Sequence, residues 1–195
     1  MKKIVIDSRV IKHLGRDLIT SPEVAVIELV KNAIDAKAKK INLRIFNGFL
    51  PSDLPNISEI ANIPMDYLKM PLLLVEDDGI GMTDQVIDDG FLRIATNIKS
   101  SESNSLGQKG IGRLATQRLG SALLVETSSS EESHTSYVYI DWDAVINGAK
   151  EVPSFEGNAT NHHTRLWIFG IDLEDFIDNA VQFQQLTLDG ISRSE

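Results

Sequence analysis

Several stretches of the chain show the rhythm of a strand. Ile41-Asn42-Leu43-Arg44-Ile45-Phe46 alternates apolar and polar residues with a period of two. Leu72 to Glu76 is a short, nearly continuous apolar run, the pattern of a buried strand. Leu123 to Thr127 and Tyr137 to Trp142 read as strands around a polar turn at Ser128 to Ser136, and Arg165 to Phe169 as another. Helical signals lie between them. Ser21-Pro22-Glu23 opens a helix, with proline in the first turn and an acid close behind, and the apolar spacing carries it to about Lys40. A short strand and a short helix at Val10 to Leu18 precede it. The polar run Ser100 to Ser105 leads through a glycine-rich turn into a helix ending near Leu119. Asp172 caps a last helix whose apolar face is Leu173, Phe176, Ile177, Ala180 and Val181. Residues 47–71 hold Pro51, Pro55, Pro64 and Pro71, four of the six prolines, and read as a loop-rich surface insertion with a short helix or two. Helices and strands mixed in this order, with hairpin-length turns late, predict an α+β layered fold.

Composition narrows the function. The 195 residues include no cysteine, which excludes disulfides, zinc–thiolate sites and cysteine nucleophiles. No apolar run approaches the roughly 20 residues that span a bilayer, and the first residues carry no signal-peptide core. A cytoplasmic protein without membrane contact is expected. The net charge of −9 argues against direct nucleic-acid binding by a broad basic face. Locally the charge is uneven. Glu76 to Asp89 holds six acids and no base, whereas Arg93 to Arg118 holds five bases and one acid, Glu102. A basic, glycine-bearing stretch in an acidic protein can attract a small anion; ordinary surface clustering produces the same pattern.

Three segments carry candidate chemistry. Glu28, Asn32 and Asp35 are spaced i, i+4, i+7 and share one helix face. Glu28 is able to take a proton from water, and Asn32 offers a neutral oxygen to a hard cation such as Mg²⁺. The plain alternative is the polar stripe of an amphipathic helix. Asp77-Asp78-Gly79-Ile80-Gly81-Met82 follows a strand, so a carboxylate stands beside glycines that admit close approach to the backbone, a good acceptor for an amino group. An Asp-Gly turn is the alternative, and a calcium loop a poorer one, because its spacing and terminal glutamate are missing. Gly107-Gln108-Lys109-Gly110-Ile111-Gly112 opens a helix and can aim N–H groups at a phosphate, or can be a simple turn. It is not a Walker A loop, since Arg113-Leu114 follows, nor a dinucleotide fingerprint. The adjacent His162 and His163 read as a turn before a strand rather than a metal pair, and His13 and His134 show no evident partner.

Taken in order, the three segments supply a cation and water site, an amino-group acceptor and a phosphate cradle. The set resembles the GHKL ATPases, which include gyrase B, the ninety-kilodalton heat-shock chaperone, histidine kinases, MutL and MORC proteins. The resemblance covers roughly residues 10–170. It implies a two-layer α/β sandwich of the Bergerat type with a mixed, mainly antiparallel sheet. It also implies an ATP-binding domain over residues 1–170, with the insertion at 47–71 and an ATP lid at 96–112, followed by a helix and tail at 171–195. By position, Glu28 resembles the general base and Asn32 the Mg²⁺ ligand, while Asp35 matches a polar position near the nucleotide. Asp77, rather than Asp78, matches the acceptor of the adenine amino group, and Gly79, Gly81 and Met82 shape the pocket. Gly107, Gly110 and Gly112 resemble the lid glycines, with Lys109 and Lys99 as phosphate contacts. Thr164 resembles the threonine beside the adenine-binding aspartate, although His163 stands where the family usually has glycine.

The resemblance further implies ATP or ADP with Mg²⁺ as ligands and slow ATP hydrolysis. Lid closure, an ATP-dependent homodimer and a lysine or arginine from a further domain or partner protein would complete the γ-phosphate site. Asn32-Ala33-Ile34-Asp35-Ala36 has the form of the hydrolysing branch. Two other readings stand beside it: a nucleotide-gated interaction module without turnover, and a phosphotransfer domain of the histidine-kinase type.

Overall fold

The computed structural model describes residues 1–6, 21–55, 63–64, 66–94 and 114–174. Its strands are β1 (Lys2–Lys3), β2 (Val5–Ile6), β3 (Ile41–Phe46), β4 (Leu72–Asp77), β5 (Arg93–Ile94), β6 (Ala122–Ser128), β7 (His134–Asp141), β8 (Glu151–Val152), β9 (Ser154–Asn158) and β10 (His163–Phe169). Its α-helices are α1 (Pro22–Asp35), α2 (Leu114–Leu119) and α3 (Trp142–Ile146); a 3₁₀ turn lies at Tyr67–Lys69 and a π-helical turn at Val86–Phe91. Six strands form the main sheet in the order β3-β4-β10-β6-β7-β9, antiparallel at every pairing. Among the described residues parallel pairing is confined to the small β2–β5 sheet, and β1 pairs antiparallel with β8. This is the expected α+β architecture.

The central strands read as continuous apolar runs because both sheet faces are covered. Leu73 and Val75 on β4, Leu123 and Val125 on β6, and Ile168 on β10 pack against Ala25, Val26, Leu29 and Val30 of α1. The intervening residues Leu72, Leu74, Leu124, Trp167 and Phe169 point to the opposite face. There they meet Ile63, with the partly buried Leu54, Tyr67 and Leu68 around them. The insertion at 47–71 is therefore more than a surface loop. Its apolar residues roof a second core, and Arg44 of β3 reaches Asp53 at 2.8 Å beside it.

Helix α1 begins as expected. Ser21, in extended conformation, accepts from the Val24 N–H at 3.5 Å, and Pro22 occupies the first turn. It ends at Asp35, short of Lys40. Lys37 takes a left-handed conformation (φ 61°), and its N–H meets the Ile34 carbonyl while that of Ala38 meets the Ala33 carbonyl. That is the Schellman closure, made here without the usual glycine. Trp142, expected at a strand end, instead starts α3, because Asp141 caps the Ala144 N–H at 2.9 Å. Asp172 does cap the turn that follows it, accepting from the Glu174 N–H at 3.0 Å. The remainder of the helix expected after Asp172, the helix expected at Val10 to Leu18 and the whole lid region lie outside the described residues. Among the described residues no helix is long and apolar enough to cross a membrane.

Candidate functional site

At one end of the α1-covered face the apolar pattern gives way to a polar row. Asp77 of β4, Thr164 of β10 and Thr127 of β6 stand in register on three adjacent strands. Asp77 and Thr164 are each 9% exposed and Thr127 is fully buried, so each needs partners. Thr127 Oγ1 accepts from the Met82 N–H at 2.9 Å and donates to the His163 carbonyl at 3.0 Å. Thr164 Oγ1 lies 3.3 Å from it. Asp77 Oδ1 accepts from the Gly79 N–H at 2.8 Å. Burial nevertheless lifts the Asp77 carboxyl above its ordinary pKa, and neighbouring Asp78 and Glu76 add to the rise. A ligand N–H donor would offset that desolvation.

The loop after β4 is fixed to two elements. Asp78 turns away from the row and accepts from the Lys39 and Lys40 N–H groups at 2.6 and 2.7 Å, bonds that hold its carboxyl below the usual range. The Ile80 N–H meets the Ala36 carbonyl at the end of α1 at 2.9 Å. Two glycines permit this packing. A Cβ on Gly79 would lie 2.7 Å from Asp77 Oδ1 and 2.8 Å from the Ala36 carbonyl. Gly81 has φ +70°, and a Cβ there would overlap the Ser128 carbonyl. Met82 then packs, half-buried, against the main core.

The polar face of α1 runs back from this junction. Asp35 and Asn32 are exposed and Glu28 is half-buried, with Lys31 Nζ 2.9 Å from Glu28 Oε1. Asp35 and Glu28 are separated by about 10 Å along the helix axis. The structure thus brings Asp77, Gly79, Gly81, Met82 and Thr164 together at one junction, with Glu28, Asn32 and Asp35 on the helix that abuts it. Lys99, Gly107, Lys109, Gly110 and Gly112 lie outside the described residues.

Three further residues take part that sequence reasoning did not single out for this site. Thr127 requires knowledge of the β6–β10 register. His162 Nδ1 donates to the Gly79 carbonyl at 2.7 Å. His163 precedes Thr164 on β10, so strand alternation sends its ring to the opposite face while Thr164 lies beside Asp77. There His163 Nε2 lies 3.3 Å from Glu126 Oε1 and Nδ1 donates to the Asn161 carbonyl at 2.7 Å. Burial alone would lower its pKa, but these two bonds and the Glu126 charge raise it. Arg165 Nε donates to Glu76 at 2.6 Å and Nη1 lies 3.4 Å from Glu126, whose other oxygen accepts from Trp167 Nε1 at 3.0 Å. A cavity of about 420 Å³ opens here, bounded by Asp77, Asp78, His162, His163 and Arg165.

His134, unpartnered in the sequence reading, has clear partners. Its Nε2 is 3.1 Å from Asp84 Oδ2 and 3.5 Å from Glu132. Asp84, His134 and Glu156 form a group with metal-ligand chemistry. The Lys2 ammonium already sits 3.1 Å from Asp84 Oδ1, and Ser136 donates to the same oxygen at 2.9 Å. Burial would raise the Asp84 pKa, yet these two contacts hold it low. The cluster acts as an ion-paired tie between β1, β7 and the loop after β4.

Comparison with known proteins gives the family. Residues 19–166 match the family described as histidine kinase-, DNA gyrase B- and HSP90-like ATPase. The chaperone protein HtpG of Chlorobium phaeovibrioides is 31% identical over 59% of this chain and 20% of its own length. The DNA mismatch repair protein MutL of Ehrlichia chaffeensis is 28% identical over 72% of this chain and 18% of its own. The mitochondrial heat shock protein 90-6 of Arabidopsis thaliana is 28% identical over 73% and 18%. The chain thus spans about a fifth of the length of these curated relatives. With the family match running from the start of α1 into β10, the chain belongs to the GHKL ATPase family.

Proposed function

We propose that this domain binds ATP with Mg²⁺ and hydrolyses it slowly. The observation that carries the reading is the buried row Asp77–Thr164–Thr127, closed by a glycine loop seated on the end of α1. Asp77 accepts the amino group of adenine, and Thr164 lies beside it to bond the ring edge directly or through water. The phosphates then run along α1 toward Asn32 and Glu28; by the family pattern, the 96–112 segment serves as the lid, with Gly107, Gly110 and Gly112 as its glycines and Lys99 and Lys109 as phosphate contacts. The exposed Asn32 amide oxygen suits a hard cation that takes oxygen ligands and keeps several waters, and Asn32 would hold Mg²⁺. When bound, that ion neutralises phosphate charge. Glu28 receives the proton of the attacking water; with Lys31 on Oε1, Oε2 is the oxygen that takes it. A lysine or arginine from a further domain or partner protein, and an ATP-dependent dimer, complete the γ-phosphate site. Residues 1–170 form the ATP-binding unit.

Thermal unfolding with ADP, ATP and a non-hydrolysable analogue, each with and without Mg²⁺, tests the binding step. At 100 times its Kd a ligand adds about 2.7 kcal/mol of stability. An upward shift that needs Mg²⁺ and disappears in Asp77→Asn is the expected result; no shift at millimolar nucleotide sinks the reading. Turnover should stay below about 1 s⁻¹. The hold of Lys31 on Glu28 favours a second reading, a nucleotide-gated interaction module without turnover. Glu28→Ala separates the two. It abolishes hydrolysis and keeps binding if Glu28 is the base, and changes nothing measurable if the module only binds.

A further inference from the structure

Gly79, having no Cβ, leaves the peptide that joins it to Ile80 freer to reorient than another residue there would. The peptide between Gly79 and Ile80 is nevertheless held at both ends. Its N–H donates to the Ala36 carbonyl at 2.9 Å, and its carbonyl accepts from His162 Nδ1 at 2.7 Å. The same Gly79 gives its own N–H to Asp77 Oδ1 at 2.8 Å. His162 sits on an exposed turn 83 residues away in sequence, just before β10. The residue is exposed, and the bond to the Gly79 carbonyl is what ties its ring to the loop.

We propose that His162 is a positioning residue for the adenine acceptor: by donating Nδ1–H to the Gly79 carbonyl it prevents the Gly79–Ile80 peptide from reorienting and keeps Asp77 aimed at the base. This rests on the nucleotide-binding reading above. Without the clamp the loop spends part of its time in conformations that cannot accept the base, and apparent affinity falls by the competent fraction. The loss falls at the base end, so ATP and adenosine weaken by the same factor, about fivefold for one ordinary hydrogen bond.

The test has two parts on the intact chain. A long-range ¹H–¹⁵N spectrum of the wild type should show the His162 proton on Nδ1; a bare Nδ1 overturns the proposal. Titration calorimetry with ATP and with adenosine should give His162→Ala about fivefold weaker binding of both, and His162→Asn, whose amide N–H reaches the same position, should recover most of it. An Ala variant within twofold of wild type, or an Asn variant as weak as Ala, overturns the clamp. Asp77→Asn in the same series separates the failures. If it weakens binding while the His162 variants do not, only the clamp falls. If the wild type binds neither compound, the nucleotide reading falls and takes the clamp with it.

Discussion

The two faces of the sheet end in polar clusters one residue apart, and the clusters are built on opposite principles. On the α1 side, Asp77 is a single buried carboxylate among hydroxyls, its protonated form favoured by burial. On the other side, Glu76, Arg165, Glu126 and His163 alternate in sign, and Trp167 takes the remaining oxygen of Glu126. The first cluster leaves a desolvated acceptor only partly compensated, by the Gly79 N–H, and the second satisfies its charges internally. A site that must receive a ligand keeps an electrostatic debt until the ligand arrives; a site that only holds strands together does not.

The sharpest way to break this comparison is Glu126→Ala. It strips the partner from Arg165, His163 and Trp167 in a nearly buried setting, and should cost about 3 kcal/mol in a urea titration while leaving nucleotide affinity close to wild type. Asp77→Asn should do the reverse. The carboxylate is disfavoured by folding, so its removal should leave stability at pH 7 unchanged or slightly higher, while adenine binding loses about 2 kcal/mol. A large stability loss in Asp77→Asn would erase the distinction between the clusters. The smallest effect is pH-dependent. His163 has a folded pKa raised above 6.5, so its contribution is fully present below pH 6.5 and is lost as pH rises through the folded value. Asp77, also raised, acts in the acid range: folding loses stability as pH climbs from 3.8 through the raised carboxyl pKa. His163→Gln should flatten the first slope, and Asp77→Asn the second, in unfolding curves collected across pH.

The elements that could be read from the sequence are those whose signals are local. The β3 alternation, the β4 run and the Ser21-Pro22 start of α1 each stand within a few residues, and the Asp77 to Met82 motif sits in one loop. What escaped depends on distant partners. The α1 terminus relies on Lys37 in a left-handed conformation that lysine seldom adopts, so nothing in residue type announced it. Thr127 and His162 matter only once register and turn bring them to Met82 and Gly79. The strand β9, Ser154-Phe155-Glu156-Gly157-Asn158, is polar and contains a glycine, which suits its place at the edge, where among the described residues only β7 pairs with it. Leu54, Ile63, Tyr67 and Leu68 follow no helical or strand period, which hid their burial against the second face.

That second roof limits how the domain can be shortened. Excising residues 47–71 to reach a minimal nucleotide-binding unit would uncover Leu72, Leu74, Trp167 and Phe169 as one broad oily wall on a central pair of strands. Such a wall drives self-association, so the trimmed protein should precipitate at concentrations where the parent stays dissolved. Repainting those four outward positions with polar residues is the condition for a soluble short version, and Asp77, on the alternate face of the same strand, would be untouched by that change.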